Sequence, residues 1–370
     1  MNKKDKNIII MISAIFLFFL FLTGIAIVFR NDKPDEIKYN KPYYMVKNYV
    51  QSLIDGDYSK AFKFIYLPQD ASINKSDFET YIKSKDIYKD ITNMKINRLI
   101  EEATLNYQVE LIDSSDNVLK TNIDLVERTI NDYRIDENEL YLIDYRVTVP
   151  KTTKLYISDY LIGEEFLDRT SELNDEYLIP AIAKNKKMFK LENKLSTNEI
   201  EVDINEKSSG VELEVELNNE ELKKKAYDYI KNTWNSLYTE YKKKSNVSKV
   251  KGYFDESFTE SDINKIYKTA FDKITKGRTD IGEFNSYNIT AIRDSEKEKS
   301  LVLNDELIKV GFGYSLSWKW KYISANSAVK MSMNRYSSII LRYDGENFKI
   351  HKIVDPGLFD YVSQYTRDFK

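Results

Sequence analysis

The sequence predicts an α+β protein with one transmembrane helix, in which two domains of helices on a curved antiparallel sheet flank a small all-β module. Residues 8–29 form an apolar run without a charged side chain. In residues 42–149, and again in residues 221–370, apolar residues first recur with a helical period and then alternate as they do in strands. Residues 150–220 contain only short runs that are typical of strands.

The composition is that of a folded chain without a nucleotide or nucleic-acid partner. The 370 residues exceed what one core needs, so we expect two or three domains. The net charge is -3, which shows no basic excess for nucleic acid. With 11 glycines and no G-x-G-x-x-G or Walker pattern, we expect no cofactor. The absence of cysteine excludes disulfides, a thiol nucleophile and the lipid attachment of bacterial lipoproteins.

The segment from Ile8 to Phe29 is long enough to span a bilayer as a helix. At 1.5 Å per residue it extends roughly 33 Å, close to a hydrocarbon core of about 30 Å. A cleaved signal peptide is the alternative, but its apolar region usually has about 7–15 residues and ends at a small-x-small site. This run is longer and ends in Ile27-Val28-Phe29. We therefore predict an uncleaved anchor.

The basic residues on either side of this segment predict its orientation. Lys3, Lys4 and Lys6 precede the apolar run, whereas Arg30 and Lys33 follow it. Because the more basic flank stays in the cytoplasm, we predict a cytoplasmic N-terminus and a single-pass protein of the cell membrane. The bulk of the chain would then be extracytoplasmic.

The first domain begins with three predicted helices. Apolar residues recur every three or four positions after Pro42, and again from Tyr58 to Tyr66. Ser76 and Asp77 carry side chains that cap helices, and they precede a third such run. The apolar residues then alternate in about four strands as far as Val149.

The second domain repeats this order after the β module. An amphipathic helix is predicted from Glu220 to Tyr241, and a later helix over residues 261–274. Strands follow, and Gly345 marks a turn before a last strand at Phe348–Ile353. Such a long repeat suggests two related domains. The predicted parts are a cytoplasmic tail (1–7), the transmembrane helix (8–29), a stalk (30–41), the first domain (42–149), the β module (150–220) and the second domain (221–370).

Several acidic segments are candidate cation sites. Asp113–Asn117 and Asp132–Asp136 lack the Gly and the terminal Glu of a calcium loop, so we predict turns there. In the β module, the run from Val211 to Leu217 alternates strictly, and its acidic face is predicted to face solvent. The alternative is a cation-binding ladder of Glu212, Glu214 and Glu216, but extended carboxylates lack the convergent geometry of a calcium site. We therefore predict no metal.

Two stretches carry a resemblance to known proteins. Val50-Gln-Ser-Leu-Ile-Asp-Gly-Asp-Tyr-Ser-Lys-Ala61 and Tyr343-Asp-Gly-Glu-Asn-Phe-Lys-Ile350 resemble the opening and the closing strand of the nuclear transport factor two-like fold. That fold is a cone of helices on a curved sheet.

The whole order of elements is similar to that of the TcaA family. The small β domain opening at Tyr145-Arg-Val-Thr-Val-Pro-Lys-Thr-Thr-Lys-Leu-Tyr156 belongs to this likeness, which covers about residues 45–370. These are Gram-positive membrane proteins associated with teicoplanin susceptibility and the cell wall. Members often carry a cytoplasmic zinc ribbon before the helix, whereas here seven residues without cysteine precede it. The resemblance implies an envelope protein and supplies no catalytic residues.

The sequence shows little sign of catalytic chemistry. Its one histidine, His351, lies on the predicted last strand, where a packed or surface residue is the usual interpretation. No Ser/His/Asp set and no H-E-x-x-H pattern is present. We therefore expect a protein that is not an enzyme.

The stretch from Tyr314 to Tyr322 is a predicted strand with aromatic residues on one face. One interpretation is that these side chains fill the core. The other is a binding groove, in which rings stack on sugars or peptide rings and lysines bind phosphates of a wall polymer. The candidate binding residues are Trp318, Trp320, Tyr322, Lys319 and Lys321.

These observations favour a membrane-anchored, non-enzymatic binding or scaffold protein of the bacterial cell envelope. Its expected partners are the membrane and a cell-wall polymer, a wall-active glycopeptide or another envelope protein. Two alternatives come from different classes. One is a single-pass assembly subunit of a secretion or conjugation machine, which self-association on crosslinking would favour. The other is an accessory domain protein of cell-wall synthesis, but no Ser-x-x-Lys transpeptidase context follows here.

Overall fold

A computed structural model describes residues 42–100, 105–243, 245–266, 281–295, 297–322 and 328–354. The predicted tail, anchor and stalk lie outside these residues. Within the described part of the chain, no helix is long and apolar enough to cross a membrane. The chain divides into two compact units: unit 1 is Met1–Asp144, Pro180–Asn185 and Ile204–Lys207, and unit 2 is Tyr145–Ile179, Lys186–Asp203 and Ser208–Lys370.

Unit 1 begins with three helices: α1 (Pro42–Ile54), α2 (Tyr58–Phe62) and α3 (Lys75–Lys85). The predicted caps of α3 were only partly right, because its N-cap is Asn74 and not Ser76. The Asn74 side chain accepts from the Asp77 amide at 3.0 Å, and the Asp77 carboxylate accepts from the Asn74 amide at 2.8 Å. This reciprocal pair satisfies two amides that the helix leaves free.

Helix α2 is shorter than the predicted run to Tyr66, because the chain after it pairs with a strand. Ile65 forms a parallel bridge with Ile135. The Tyr66 amide donates to the Ile135 carbonyl at 2.7 Å, and the Ile135 amide donates to the Phe64 carbonyl at 2.9 Å. These hydrogen bonds to a distant strand use backbone groups that a longer helix would need. The local periodicity of the sequence gives no information about such a partner.

The sheet of unit 1 is an antiparallel meander in the order β1-β2-β3-β4. The predicted turn at Asp132–Asp136 was wrong: this segment is strand β4, and within it Ile135 is fully buried. The predicted turn at Asp113–Asn117 is confirmed, since the Asp113 carboxylate accepts from the amides of Ser115 and Asn117. The strands are β1 (Ile91–Ile100), β2 (Leu105–Asp113), β3 (Val118–Thr129) and β4 (Asp132–Asp136), and a 3₁₀ turn follows at Asn138–Leu140.

The core of unit 1 lies between α1 and the sheet. The two sequence periods place apolar side chains on one face of each, so burying both faces against each other removes them from water. The helix contributes Met45, Val46, Tyr49, Val50 and Leu53, and the sheet contributes Tyr107, Val109, Leu111, Ile123, Leu125 and Ile135.

The middle of the chain consists of short strands in two four-stranded sheets, β11-β10-β6-β7 and β12-β5-β9-β8. The short apolar runs Leu155–Ile157 and Tyr160–Ile162 around Ser158-Asp159 predict a tight hairpin, which is confirmed: β6 pairs with β7, and Ser158 and Asp159 between them have φ of 48° and 69°. Both lie in the left-handed region that tight hairpin turns require. The strands are β5 (Tyr141–Pro150), β6 (Lys154–Ile157), β7 (Tyr160–Leu161), β8 (Leu167–Thr170), β9 (Asn174–Ala183), β10 (Lys186–Glu192), β11 (Thr197–Asp203) and β12 (Gly210–Glu212), with a 3₁₀ turn at Glu164–Phe166.

The alternating run from Val211 to Leu217 is not one strand, as predicted, but parts of two. Strand β12 pairs in parallel with β5, whereas β13 (Val215–Glu216) pairs with β15 (Leu301–Val302) of another sheet. The predicted burial is nevertheless confirmed, because Leu213, Val215 and Leu217 are buried and the glutamates between them are exposed. Alternation of apolar and polar residues specifies which face of a strand is buried, but it does not specify which strand pairs with it.

Unit 2 also contains a long helix, α4 (Glu220–Lys242), as predicted. Two 3₁₀ turns follow it, and residues 260–266 are helical. The rest of the predicted helix to residue 274 lies outside the described residues. The 3₁₀ turns are Val247–Lys249 and Lys251–Tyr253, and the strands are β14 (Ile281–Asp294), β15 (Leu301–Val302), β16 (Leu307–Tyr322), β17 (Ala328–Tyr343) and β18 (Phe348–Ile353).

The large sheet of unit 2 has the order β13-β15-β16-β17-β18, and β14 also pairs with β16. Strands β14, β16, β17 and β18 therefore form an antiparallel meander, as β1 to β4 do in unit 1. The last strand of this meander also receives a parallel bridge from the segment after the helix, here between Phe254 and Ile350. The chain is thus a mixed α+β protein in which strands outnumber helices among the described residues, and the predicted class is confirmed at this coarse level.

Candidate functional site

The five candidate binding residues of the aromatic stretch lie on β16. Strand β14 pairs with it on one side, where Trp318 is opposite Tyr287, and strand β17 on the other, where Trp318 is opposite Met331. The side chains of residues 318–322 lie outside the described part of the structure. The choice between core and groove at Trp318, Trp320, Tyr322, Lys319 and Lys321 therefore stays a prediction.

The first half of β16 is described in full and belongs to the core. Ile308, Val310, Phe312 and Tyr314 alternate along the strand, and each is at least 97% buried. The rings of Phe312 and Tyr314 lie 5.8 Å apart. The core interpretation is thus correct for Tyr314, the first aromatic residue of the stretch.

A buried carboxylate, Glu137, is the centre of the main polar cluster in unit 1. It lies one residue after β4 and accepts hydrogen bonds from the hydroxyls of Tyr49 at 2.6 Å and Tyr81 at 2.9 Å. Lys85 brings its ammonium to 3.1 Å from the same carboxylate, and to 3.6 Å from exposed Glu139. We call Glu137, Tyr49, Tyr81 and Lys85 the Glu137 cluster. Its donors come from α1 and α3, so it ties two helices to the end of the sheet.

The tyrosines near Glu137 stay protonated over a wide pH range. Burial raises the pKa of Tyr49 well above its usual value, and the charge of Glu137 raises it further. Burial and then Glu137 raise the pKa of Tyr81 in the same way, and also that of nearby Tyr88. A phenol in such a site donates a hydrogen bond and is a poor general acid at neutral pH, because ionisation would place a second negative charge beside the carboxylate.

Unit 2 contains a second buried carboxylate, Asp255, whose side chain has no exposed surface. It accepts from Arg342 Nε at 2.9 Å and lies 2.7 Å from His351 Nδ1. The Ser257 hydroxyl and amide also donate to it, at 2.5 Å and 2.9 Å. We call Asp255, Arg342, His351 and Ser257 the Asp255 cluster. It fastens the segment after the 3₁₀ turns to β17 and β18.

Asp255 is a strongly acidic group. Burial alone would raise its pKa, but hydrogen bonds from Ser257, Arg342 and His351 outweigh burial and hold the pKa well below its usual range. The carboxylate in turn raises the pKa of the Arg342 guanidinium. The same guanidinium lies 2.8 Å from Glu306 and 3.5 Å from Glu256, so Arg342 joins three acids.

Neither cluster has the geometry of a proton-transfer site in the described residues. The Ser257 hydroxyl oxygen lies 2.5 Å from Asp255 Oδ1 and 2.8 Å from the His351 carbonyl oxygen, so its single hydrogen is directed at these two acceptors and not at the imidazole. Asp255 and His351 are paired like the acid and the base of a catalytic triad. Ser257, however, contacts the carboxylate of Asp255, whereas the serine of a triad contacts the imidazole. Glu137 is surrounded by three donors from its own chain. Both carboxylates are therefore engaged in holding the fold.

The three glutamates of the alternative ladder interpretation line an open cleft in unit 2. Glu199 of β11 also lines this cleft, together with Glu212, Glu214 and Glu216. Lys299 lies 2.5 Å from Glu216 and neutralises part of the charge. Among the described residues, no group of three or more His, Cys, Asp or Glu side chains could hold a metal ion. The cleft is therefore an acidic surface.

Sequence reasoning missed both carboxylate clusters. Glu137 is 88 residues from Tyr49 and 56 from Tyr81, and Asp255 is 96 residues from His351. No motif spans such distances. The sequence offers one weak indication, at Glu137. Tyr133 and Ile135 alternate as in a strand, and Glu137 follows them, at a strand end that a helix can approach.

Comparisons with known proteins identify no family. No family model matches the chain, and no curated protein matches it. A solved structure described as "Ntf2 like protein involved in plasmid conjugation" is similar over 81% of this chain and 91% of its own, with 12% sequence identity and a TM-score of 0.19. A TM-score this low does not establish a shared fold.

Proposed function

We propose that this chain is a membrane-anchored, non-enzymatic binding or scaffold protein of the bacterial cell envelope. In this proposal residues 8–29 cross the cell membrane and the rest of the chain is extracytoplasmic. The two helix-and-sheet regions are nuclear transport factor two-like domains, and the protein resembles the TcaA family. Its ligand is a cell-wall polymer or a wall-active glycopeptide held near the bilayer.

One observation supports the proposal that the protein is not an enzyme: both buried carboxylates form hydrogen bonds with other groups of the same chain. Glu137 accepts from two phenols and an ammonium, and Asp255 from a guanidinium, a hydroxyl and an amide. A catalytic acid or base needs a lone pair or a proton directed at the substrate. These two carboxylates instead join elements that are distant in sequence, which is the role of a structural group.

The anchor and the repeated order of elements support the location and the binding role. An uncharged run of this length is stable only across a bilayer or in a large apolar core. Each unit has an antiparallel meander whose last strand is bridged by another segment of the same unit. Such sheets suit presentation of surfaces to large ligands.

Retention by cell walls tests the proposed ligand. We expect the full chain, purified in mild detergent, to sediment with purified Gram-positive cell walls and to be released by soluble wall fragments. Failure to sediment, together with self-crosslinking into large assemblies, would instead favour an assembly subunit of a secretion machine.

Two substitutions on β16 test where a wall ligand would bind. If the aromatic stretch forms the groove, Trp318→Ala and Trp320→Ala abolish sedimentation with walls and leave Tm unchanged. If these residues are core, both variants lose several degrees of Tm. Tyr314→Ala is the matched control for a core position, since Tyr314 is buried.

A further inference from the structure

The exposed face of α1 changes in polarity along its length. Tyr43 and Tyr44, at its start, are each 45% exposed, and their rings meet edge to face at 5.5 Å. One turn later the exposed residue is Lys47, and the next turn exposes Gln51. Gln51 donates to Asp55 at 2.8 Å, so the far end of the face is polar and acidic.

This order matches the polarity profile of a bilayer surface. Tyrosine rings favour the boundary between acyl chains and headgroups, where an apolar body and a polar hydroxyl are both solvated. A lysine one turn away can extend its ammonium to lipid phosphates. Carboxylates are best placed farthest from an anionic surface. The aromatic and cationic positions of α1, and Asp55 directly after it, follow this order from the N-terminus of the helix.

The length of the preceding segment limits the distance of α1 from the membrane. Twelve residues, 30–41, separate the proposed anchor from Pro42. Fully extended, they reach roughly 40 Å. The end of α1 that carries the two tyrosines is also the end joined to this segment, so the segment allows that end to reach the bilayer surface.

We infer that the N-terminal turn of α1 is a membrane-contact surface, in which Tyr43 and Tyr44 insert among lipid headgroups and Lys47 pairs with their phosphates. The inference rests on the proposed anchor, and it adds that the first domain rests on the bilayer through a defined surface. The partner is the lipid headgroup region itself, since the exposed side chains combine aromatic rings with one cation.

The absence of cysteine allows a direct test, because an introduced cysteine is unique in the chain. The full chain is reconstituted in phosphatidylcholine and phosphatidylglycerol vesicles with an environment-sensitive fluorophore at Lys47→Cys. The matched control carries the same fluorophore at Gln51→Cys, on the same exposed face one turn farther on. Some lipids carry a spin label near the headgroup, which quenches a fluorophore only at short range.

We expect the label at position 47 to lose most of its emission to the spin-labelled lipid, and the label at position 51 to lose little. Adding Tyr43→Ser and Tyr44→Ser should reduce quenching at position 47 to the level at position 51. Equal quenching at the two positions, or no effect of the two serines, overturns the contact surface.

Vesicle flotation separates this result from failure of the anchor. A chain that floats with vesicles but shows equal quenching at both positions retains the anchor and refutes the surface. A chain that does not float refutes the anchor, and the membrane-contact surface with it. Circular dichroism of the serine variant tests whether the helical content is retained. The comparison of positions 47 and 51 with both tyrosines present tests the membrane-contact surface independently of that variant.

Discussion

In each unit a buried carboxylate connects the last strand of the meander to the segment beside that strand. The carboxylate belongs to the strand side in unit 1 and to the neighbouring segment in unit 2. In unit 1 the acid is on the strand side, at Glu137, and the helices supply the donors. In unit 2 the acid follows the helical segment, at Asp255, and strands β17 and β18 supply Arg342 and His351. The same connection is therefore made with two different chemistries.

The donors differ in a way that has consequences for stability. Two neutral phenols and a partly exposed lysine hold Glu137, whereas a guanidinium, an imidazole and a serine hold Asp255. Removing the Asp255 charge leaves the Arg342 guanidinium without its buried acid, whereas removing the Glu137 charge leaves two phenols with weakened hydrogen bonds and Lys85 with exposed Glu139 as a partner. Unit 2 should thus depend on its carboxylate more than unit 1 does.

The largest effect is expected for Asp255→Asn. The variant leaves Arg342 without its buried partner and should lower the free energy of unfolding by about 3 kcal/mol. Urea unfolding followed by tryptophan fluorescence measures this loss, because all three tryptophans lie in unit 2. The control is Glu256→Gln, an exposed acid 3.5 Å from the same arginine, which should have no measurable effect. Equal losses in the two variants would show that burial of Asp255 does not matter.

Acid should weaken unit 2 through the same residue. Since the folded-state pKa of Asp255 lies below its unfolded value of about 3.9, its contribution is complete above that value and is lost as pH falls through the folded-state pKa. Tryptophan fluorescence should therefore show a fall in stability below about pH 4. The acid limb should be flatter in Asp255→Asn; an unchanged limb would assign the loss to other groups.

A smaller effect is expected for Glu137→Gln. The amide keeps the shape of the side chain but loses the charge that the two tyrosines and Lys85 face, so the loss should be about 2 kcal/mol. Circular dichroism during urea unfolding measures it. Glu139→Gln is the control, because this acid is 73% exposed and contacts the same lysine. A loss from Glu137→Gln as large as that from Asp255→Asn would contradict the proposed difference between neutral and charged donors.

The smallest effect should be a gain of stability from Asp136→Asn in unit 1. Asp136 lies directly opposite Asp124 on the neighbouring strand, and burial, Asp124 and Glu137 together raise its pKa. Removing one of two opposed charges should stabilise unit 1 by about 0.5 kcal/mol at neutral pH.

This gain should disappear in acid. A raised folded-state pKa means that the native protein favours protonated Asp136, so its unfavourable charge develops only as pH rises. The comparison of urea unfolding at neutral pH and near pH 3 tests the sign. Asp132→Asn, which instead removes a partner of Arg134 at 3.4 Å, should give no gain.

The parts of the fold that sequence predicted are those with local causes. Strand β18 and the turn before it follow from alternation and from Gly345, whose φ is 105°. The hairpin at Ser158 and Asp159 follows from residues that accept positive φ. Helix α4 follows from a long amphipathic period. Each of these elements is determined largely by residues within a few positions.

The parts that sequence missed have distant causes. Helix α2 ends early because Ile65 meets Ile135, and the run from Val211 to Leu217 divides because its halves pair with different strands. The Glu137 and Asp255 clusters combine residues from separate elements in the same way. Local periodicity contains no information about such partners, so neither cluster was predictable from the single sequence.

The most direct test of the account is the accessibility of unique cysteines in intact Gram-positive cells. Ser115→Cys lies in the exposed turn between β2 and β3, and Asn2→Cys lies in the predicted cytoplasmic tail. The account predicts that a membrane-impermeant maleimide labels position 115 in intact cells and position 2 only after lysis. Labelling of position 2 but not of position 115 in intact cells would contradict the proposed topology, and with it a role at the outer surface of the membrane.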